Sequence, residues 1–182
     1  MAGEKPGRGR AVGRQLVRTA DPADAAAVAA IYAHHVLNGT ASFDTIPPDA
    51  DFWRAKIADI IARGWPFLVA EGGGAVVGYA YATQFRDRPA YAETCENSIY
   101  IAPLHAGRGL GSGLMKALLP AAASAGFRQM IAVVGGGEPA SVALHEKFGF
   151  VVAGRMRNVG RKFGRLLDTV YLQRALDSDE IA

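Results

Sequence analysis

Two hydrophobic periods divide the chain into strands and helices. Residues 15–18 read as a first strand, and Asp21-Pro22 then supplies an N-cap followed by a proline suited to a first helical turn. The helix predicted there runs to about Leu37, where Asn38-Gly39 ends it. A loop over residues 40–48 closes with Pro47-Pro48, and Trp53, Ile57, Ile60 and Ile61 then recur at helical spacing. Apolar segments at 66–70 and 75–84 flank Gly72-Gly73-Gly74, the pattern of a hairpin. A strand over 93–101, a helix over 109–125, a strand over 129–134, a helix over 140–148 and strands near 150–158 and 166–173 follow. Antiparallel strands first and a βαβα order later predict an α/β (α+β) fold: one mixed, mostly antiparallel central sheet of about seven strands with helices on both faces.

The 182 residues, 50% hydrophobic and 20% charged, suit one domain over 15–175. Residues 1–14 read as a disordered basic leader and 176–182 as a C-terminal tail. The formal charge of +3 is misleading about partners, because Lys5, Arg8, Arg10, Arg14 and Arg18 face only Glu4 in the first 18 residues. The remainder is close to neutral, which argues against a nucleic-acid partner. No apolar run is long enough to cross a bilayer, no signal-peptide core is present, and Cys95 is the single cysteine, so no membrane partner and a cytoplasmic location are expected. His34, His35, His105 and His145 show no ligand spacing, and no metal is expected.

The chemistry concentrates between residues 98 and 115. There a β-branched strand passes through Gly107, Gly109, Gly111 and Gly113 into an apolar-periodic helix. Such a turn lets the backbone approach a ligand closely and aims unpaired N–H groups and a positive dipole end at it, the arrangement that cradles phosphate. The Walker spacing is absent, and the Rossmann spacing fails because its third glycine would fall on Ser112 or Leu114. In the strand before the turn, Glu96, Ser98 and Tyr100 alternate with Cys95, Asn97, Ile99 and Ile101, which puts Glu96 and Cys95 on opposite faces. A mid-strand carboxylate is depleted by β propensity and costly to bury, so Glu96 needs solvent, a partner or a function.

Val-Ala-Glu (69–71), Val-Val-Gly-Tyr-Ala (76–80), Cys-Glu-Asn-Ser-Ile-Tyr-Ile (95–101), the glycine turn and Leu-His-Glu-Lys-Phe-Gly-Phe (144–150) together resemble the GNAT superfamily of N-acetyltransferases, over roughly residues 15–175. Ile-Tyr-Ala-His-His-Val (31–36), Thr-Ala-Ser-Phe-Asp (40–44), Arg-Gln-Met-Ile-Ala-Val-Val-Gly (128–135) and Val-Gly-Arg-Lys-Phe-Gly-Arg-Leu-Leu-Asp (159–168) narrow the resemblance to the phosphinothricin and methionine sulfoximine acetyltransferase family.

The resemblance implies a GNAT fold, acetyl-CoA as donor, a small amino acid as acceptor and a homodimer. It implies Glu96 as general base and His145 as the acid that protonates the leaving thiolate. Donor contacts are implied at Ile99, Tyr100, Ile101, Gly107, Arg108, Gly109, Leu110, Gly111, Ser112, Gly113 and Val133, and acceptor contacts at Phe43, Arg86, Arg88 and Tyr91, with Lys162 and Arg165 contributing across a dimer. Glu146 and Lys147 read as a solvated face. Two positions depart from the superfamily pattern: Ala106 stands where glutamine or arginine is common, and Glu138-Pro139 where an asparagine is common. A sensor that binds acyl-CoA without catalysis, and an acetyltransferase acting on proteins, are the alternatives.

Overall fold

The computed structural model describes residues 16–176. The leader predicted at 1–14 and all of the predicted tail except Leu176 lie outside the described residues. Leu176 belongs to the fold: it is buried and its N–H reaches the carbonyl of Arg128.

Seven strands form one sheet in the order β1-β2-β3-β4-β5-β7-β6. They are β1 (Leu16–Thr19), β2 (Phe67–Gly72), β3 (Ala75–Gln84), β4 (Thr94–Ile101), β5 (Gln129–Gly135), β6 (Val151–Lys162) and β7 (Arg165–Ala175). Only β4 and β5 pair in parallel. The helices are α1 (Ala25–Asn38), α2 (Ala50–Ala62), α3 (Leu110–Ser124) and α4 (Pro139–Lys147). Asp21 caps a short 3-10 turn that leads into α1, and Asp49 caps α2 by accepting the N–H of Phe52.

Each face of the sheet carries its own core. On one, Val28 and Ile31 of α1 and Trp53, Ile57 and Ile60 of α2 bury against Phe67, Tyr79 and Tyr81. On the other, Leu114, Met115, Leu118, Leu119 and Ala122 of α3 bury against Leu68, Ala80, Met130 and Leu172. The second set keeps α3 helical through Pro120. Burying a large apolar side chain contributes about 1.5–3 kcal/mol, so four of them outweigh the roughly 3 kcal/mol cost of an interior proline.

The sequence pattern ends a strand near residue 158, whereas β6 continues to Lys162. The register against β7 slips between Met156 and Gly160, and Asn158 takes φ 57° with its N–H on Asp168 Oδ1 at 3.0 Å. Asparagine tolerates the left-handed region, so the bulge bends the strand without ending it. Phe163 (φ 50°) and Gly164 (φ 74°) then close a two-residue hairpin turn into β7.

Candidate active site

β4 and β5 pair from Thr94↔Gln129 to Asn97↔Ala132 and no further, although β4 runs on to Ile101 and β5 to Gly135. The sheet therefore opens into a V. Ala102 donates its N–H to Val77, so alternation along the antiparallel ladder turns the peptide groups of even-numbered β4 residues toward β3 and those of Asn97, Ile99 and Ile101 toward β5. Past Asn97 those groups face the opening. The resulting cleft, about 630 Å³, runs from Glu96 to Ile101 along β4 and is closed by Ala132, Val133 and Val134 opposite.

At one end of the cleft stands the glycine turn. Gly107 (φ 71°) and Gly109 (φ 81°) take a left-handed conformation that a side chain disfavours, and α3 starts directly after Gly109 with no side-chain cap. The first intrahelical bond there is from Gly113 N–H to the Gly109 carbonyl, which leaves the N–H groups of Leu110, Gly111 and Ser112 without helical partners. Gly107, Gly109, Gly111 and Ser112 line the cleft; Arg108, Leu110 and Gly113 do not. Leu110 instead sends its side chain into the core. The four glycines thus differ in purpose. Gly111 permits close packing on Leu144, 3.2 Å from where a Cβ would stand, and Gly113 faces open space. Lys147 is exposed, and from that solvated face its Nζ donates to Ser112 Oγ at 3.1 Å, which brings an ammonium beside the start of α3. Peptide donors, a helix dipole and a cation suit a diphosphate, and the unpaired β4 edge suits an extended amide-bearing arm.

Glu96 sits at the fork of the V, paired across to Thr83 and Ile131. Its carboxyl is half-buried, and this burial raises its pKa against the opposing charges of Arg86 and then Lys56. A base with a raised pKa accepts a proton from an ammonium more readily than an exposed carboxylate does. Lys56 belongs to this group of charges but escaped the sequence reading, which placed α2 only as a core helix. Cys95, on the opposite face, is fully buried with its thiol pushed up to about 12 by desolvation, so it remains protonated and unsuited to a covalent intermediate.

His145 lines the cleft with a buried, hydrogen-bonded ring. Nδ1 lies 2.7 Å from the Ser141 carbonyl and so carries the proton, and Nε2 lies 3.0 Å from Asn97 Nδ2, which donates to it. Burial lowers the ring's pKa, partly offset by the Ser141 bond. The ring is thus held between the Ser141 carbonyl and the Asn97 side chain. His35, also missed, lines the cleft from α1 and donates through Nε2 to the Ile101 carbonyl at 2.8 Å, fixing the far end of the β4 edge.

None of the expected acceptor residues Phe43, Arg86, Arg88 and Tyr91 lines the cleft; Arg86 is the one whose charge acts on Glu96, and Arg88 and Tyr91 share its exposed loop. Gln84 Nε2 organises that loop by donating to the carbonyls of Arg86 and Arg88. Phe43 packs its ring against Gly135 and leaves no room for a Cβ at Gly160. Lys162 is buried and donates from Nζ to the Ser42 carbonyl at 2.7 Å, tying the Phe43 loop to the end of β6. Among the described residues no group of three or more histidine, cysteine or acidic side chains could hold a metal, and no helix is long and apolar enough to cross a membrane.

Comparison with known proteins gives the site a context. The profile of the acetyltransferase (GNAT) family matches residues 28–150. A phosphinothricin N-acetyltransferase of Alcaligenes faecalis is 48% identical over 165 residues, covering 90% of this chain and 84% of that protein. An L-methionine sulfoximine/L-methionine sulfone acetyltransferase of Salmonella typhimurium is 38% identical, covering 88% and 94%. The crystal structure of a GNAT superfamily phosphinothricin acetyltransferase from Sinorhizobium meliloti in complex with acetyl-CoA superposes with a TM-score of 0.86 at 42% identity, covering 88% of each chain.

Proposed function

Because the chain belongs to the acetyltransferase (GNAT) family, we propose that it moves an acetyl group from acetyl-CoA to the α-amine of a small amino acid or analogue, of the phosphinothricin or methionine sulfoximine kind. The observation that carries this reading is the half-buried Glu96 carboxyl at the fork of the V, with the N–H cradle of α3 at the other end of the same cleft. Glu96 takes the ammonium proton, directly or through a water. The freed amine nitrogen attacks the thioester carbonyl and a C–N bond forms; the C–S bond breaks with its electron pair leaving on sulfur, and the proton that the new amide nitrogen sheds passes to that thiolate, which departs as the free thiol. The N–H groups of Gly111 and Ser112, helped by Lys147, hold the donor's diphosphate, and the open peptide groups of Ile99 hold its arm, with the Ile101 carbonyl already held by His35. Ala106 leaves its own position without a side-chain donor, and Lys147 supplies a charge at Ser112.

The test is release of free thiol from acetyl-CoA across a panel of amino acids that includes L-phosphinothricin and L-methionine sulfone. Turnover with at least one acceptor, and loss of that acceptor's free amine, is the expected result. Acetyl-CoA binding with no acceptor consumed would favour the sensor.

Homodimerisation and a cytoplasmic location belong to the same reading. Support for the dimer comes from β6, an edge strand on which Val151, Val152, Met156 and Val159 are exposed, with Phe163 and Leu166 exposed beyond it. A long edge with such side chains calls for cover. Light scattering at micromolar concentration should give twice the chain mass, and Val152→Glu combined with Val159→Glu should give the chain mass alone.

A further inference from the structure

Lys56 is a cation without a carboxylate. It sits on α2, half-buried, with Nζ donating to Tyr81 Oη at 2.9 Å and lying 4.6 Å from the centre of the Tyr81 ring and 5.1 Å from that of Trp53. It forms no ion pair among the described residues, and neither does Arg86, whose guanidinium lies over the Phe85 ring at 4.7 Å. An ammonium has three donors. One is used on Tyr81, and the other two have no acceptor among the described residues.

Register places this charge beside the base. Tyr81 on β3 is opposite Ser98, and Thr83 is opposite Glu96, so Tyr81 and Glu96 are diagonal neighbours on one face of the sheet. The charge on Lys56 acts on the Glu96 carboxyl, together with that on Arg86. Two cations act on the one carboxylate of Glu96, an excess of positive charge at that group; the Asp44 carboxylate, which acts on Tyr32 and Tyr100, is not among the charges acting on it. An amino acid with an uncharged side chain is a net-neutral zwitterion and leaves that imbalance in place. One with an anionic side chain removes it, and the half-buried, ring-caged ammonium has the free donors to meet an oxyanion.

We propose that Lys56 is a specificity-determining residue of the acceptor site, selecting amino acids whose side chain is anionic over those whose side chain is neutral. The inference rests on the amino-acid acceptor reading above. It separates two acceptors of similar size, since a phosphinate side chain carries a charge and a sulfone side chain does not.

The experiment measures kcat/KM for L-phosphinothricin and L-methionine sulfone in the wild-type protein, Lys56→Gln and Lys56→Arg. Loss of a charge-assisted contact lowers kcat/KM for phosphinothricin by roughly tenfold or more beyond any fall for methionine sulfone in Lys56→Gln, and this difference is largely reversed in Lys56→Arg. The ratio between acceptors is the decisive readout, because a general disturbance of α2 lowers both alike. An equal fall for both acceptors, or no fall for either, overturns the inference while the acetyltransferase reading stands. A wild-type protein that acetylates neither overturns the acceptor reading and this inference with it.

Discussion

Glu96→Gln is expected to lower kcat for amine acetylation by about two to four orders of magnitude, the range over which a positioned general base contributes. Acetyl-CoA affinity should stay within about twofold, because the groups at the α3 end of the cleft that suit a diphosphate are independent of this side chain. The substitution keeps the shape and removes only the proton acceptor. A pH profile adds a second reading. The base works deprotonated and burial raises its pKa, so kcat/KM is high above that shifted value and falls as pH drops through it, at a higher pH than an ordinary carboxylate would give. In Glu96→Gln that acidic limb disappears. A variant with wild-type turnover, or one that retains the limb, would assign the base to another group.

Gly109→Val carries the second large effect and acts on the donor. Gly109 holds φ 81° immediately before α3, and a β-branched residue is a strong outlier there. Strain of this kind costs about 1–3 kcal/mol. The chain meets it either by losing stability or by rotating the peptide that orients the first N–H groups of the helix. Where the peptide rotates, the dissociation constant of acetyl-CoA rises by roughly ten- to a hundredfold, measured by titration calorimetry. Gly113→Ala is the control. Gly113 lies inside α3 with no unusual φ, and its Cβ would meet nothing within 4 Å. Alanine there should raise stability by about 0.5–1 kcal/mol and leave donor affinity unchanged. Equal weakening by both substitutions would mean that helix content, not the left-handed turn, holds the donor.

The part of the site that lies on one local segment was legible in the sequence. The strand, glycine turn and helix of 98–115 are encoded by neighbours, so the cradle, the faces of β4 and the separation of Glu96 from Cys95 all followed from alternation and turn chemistry. Residues brought from elsewhere were not legible. Lys56 looked like the polar face of a core helix, and His35 like one of two adjacent histidines. The partners of the His145 ring, Ser141 and Asn97, also come only from the assembled structure. The turn at Phe163-Gly164 escaped because phenylalanine is not a residue that announces a left-handed backbone.

The sequence by itself determined the order and type of the elements, the sheet's mixed character, the cradle and the carboxylate, because apolar period, capping and glycine placement act within a few residues of where they are written. Only the tertiary structure decided where β4 and β5 part, that Lys147 reaches Ser112, that Lys162 binds the Ser42 carbonyl 120 residues away, and that Lys56 stands with Arg86 beside Glu96. Those outcomes depend on how two separately packed helix layers seat on one twisted sheet. The register and burial that fix such contacts belong to the assembled cores and to no single stretch of chain.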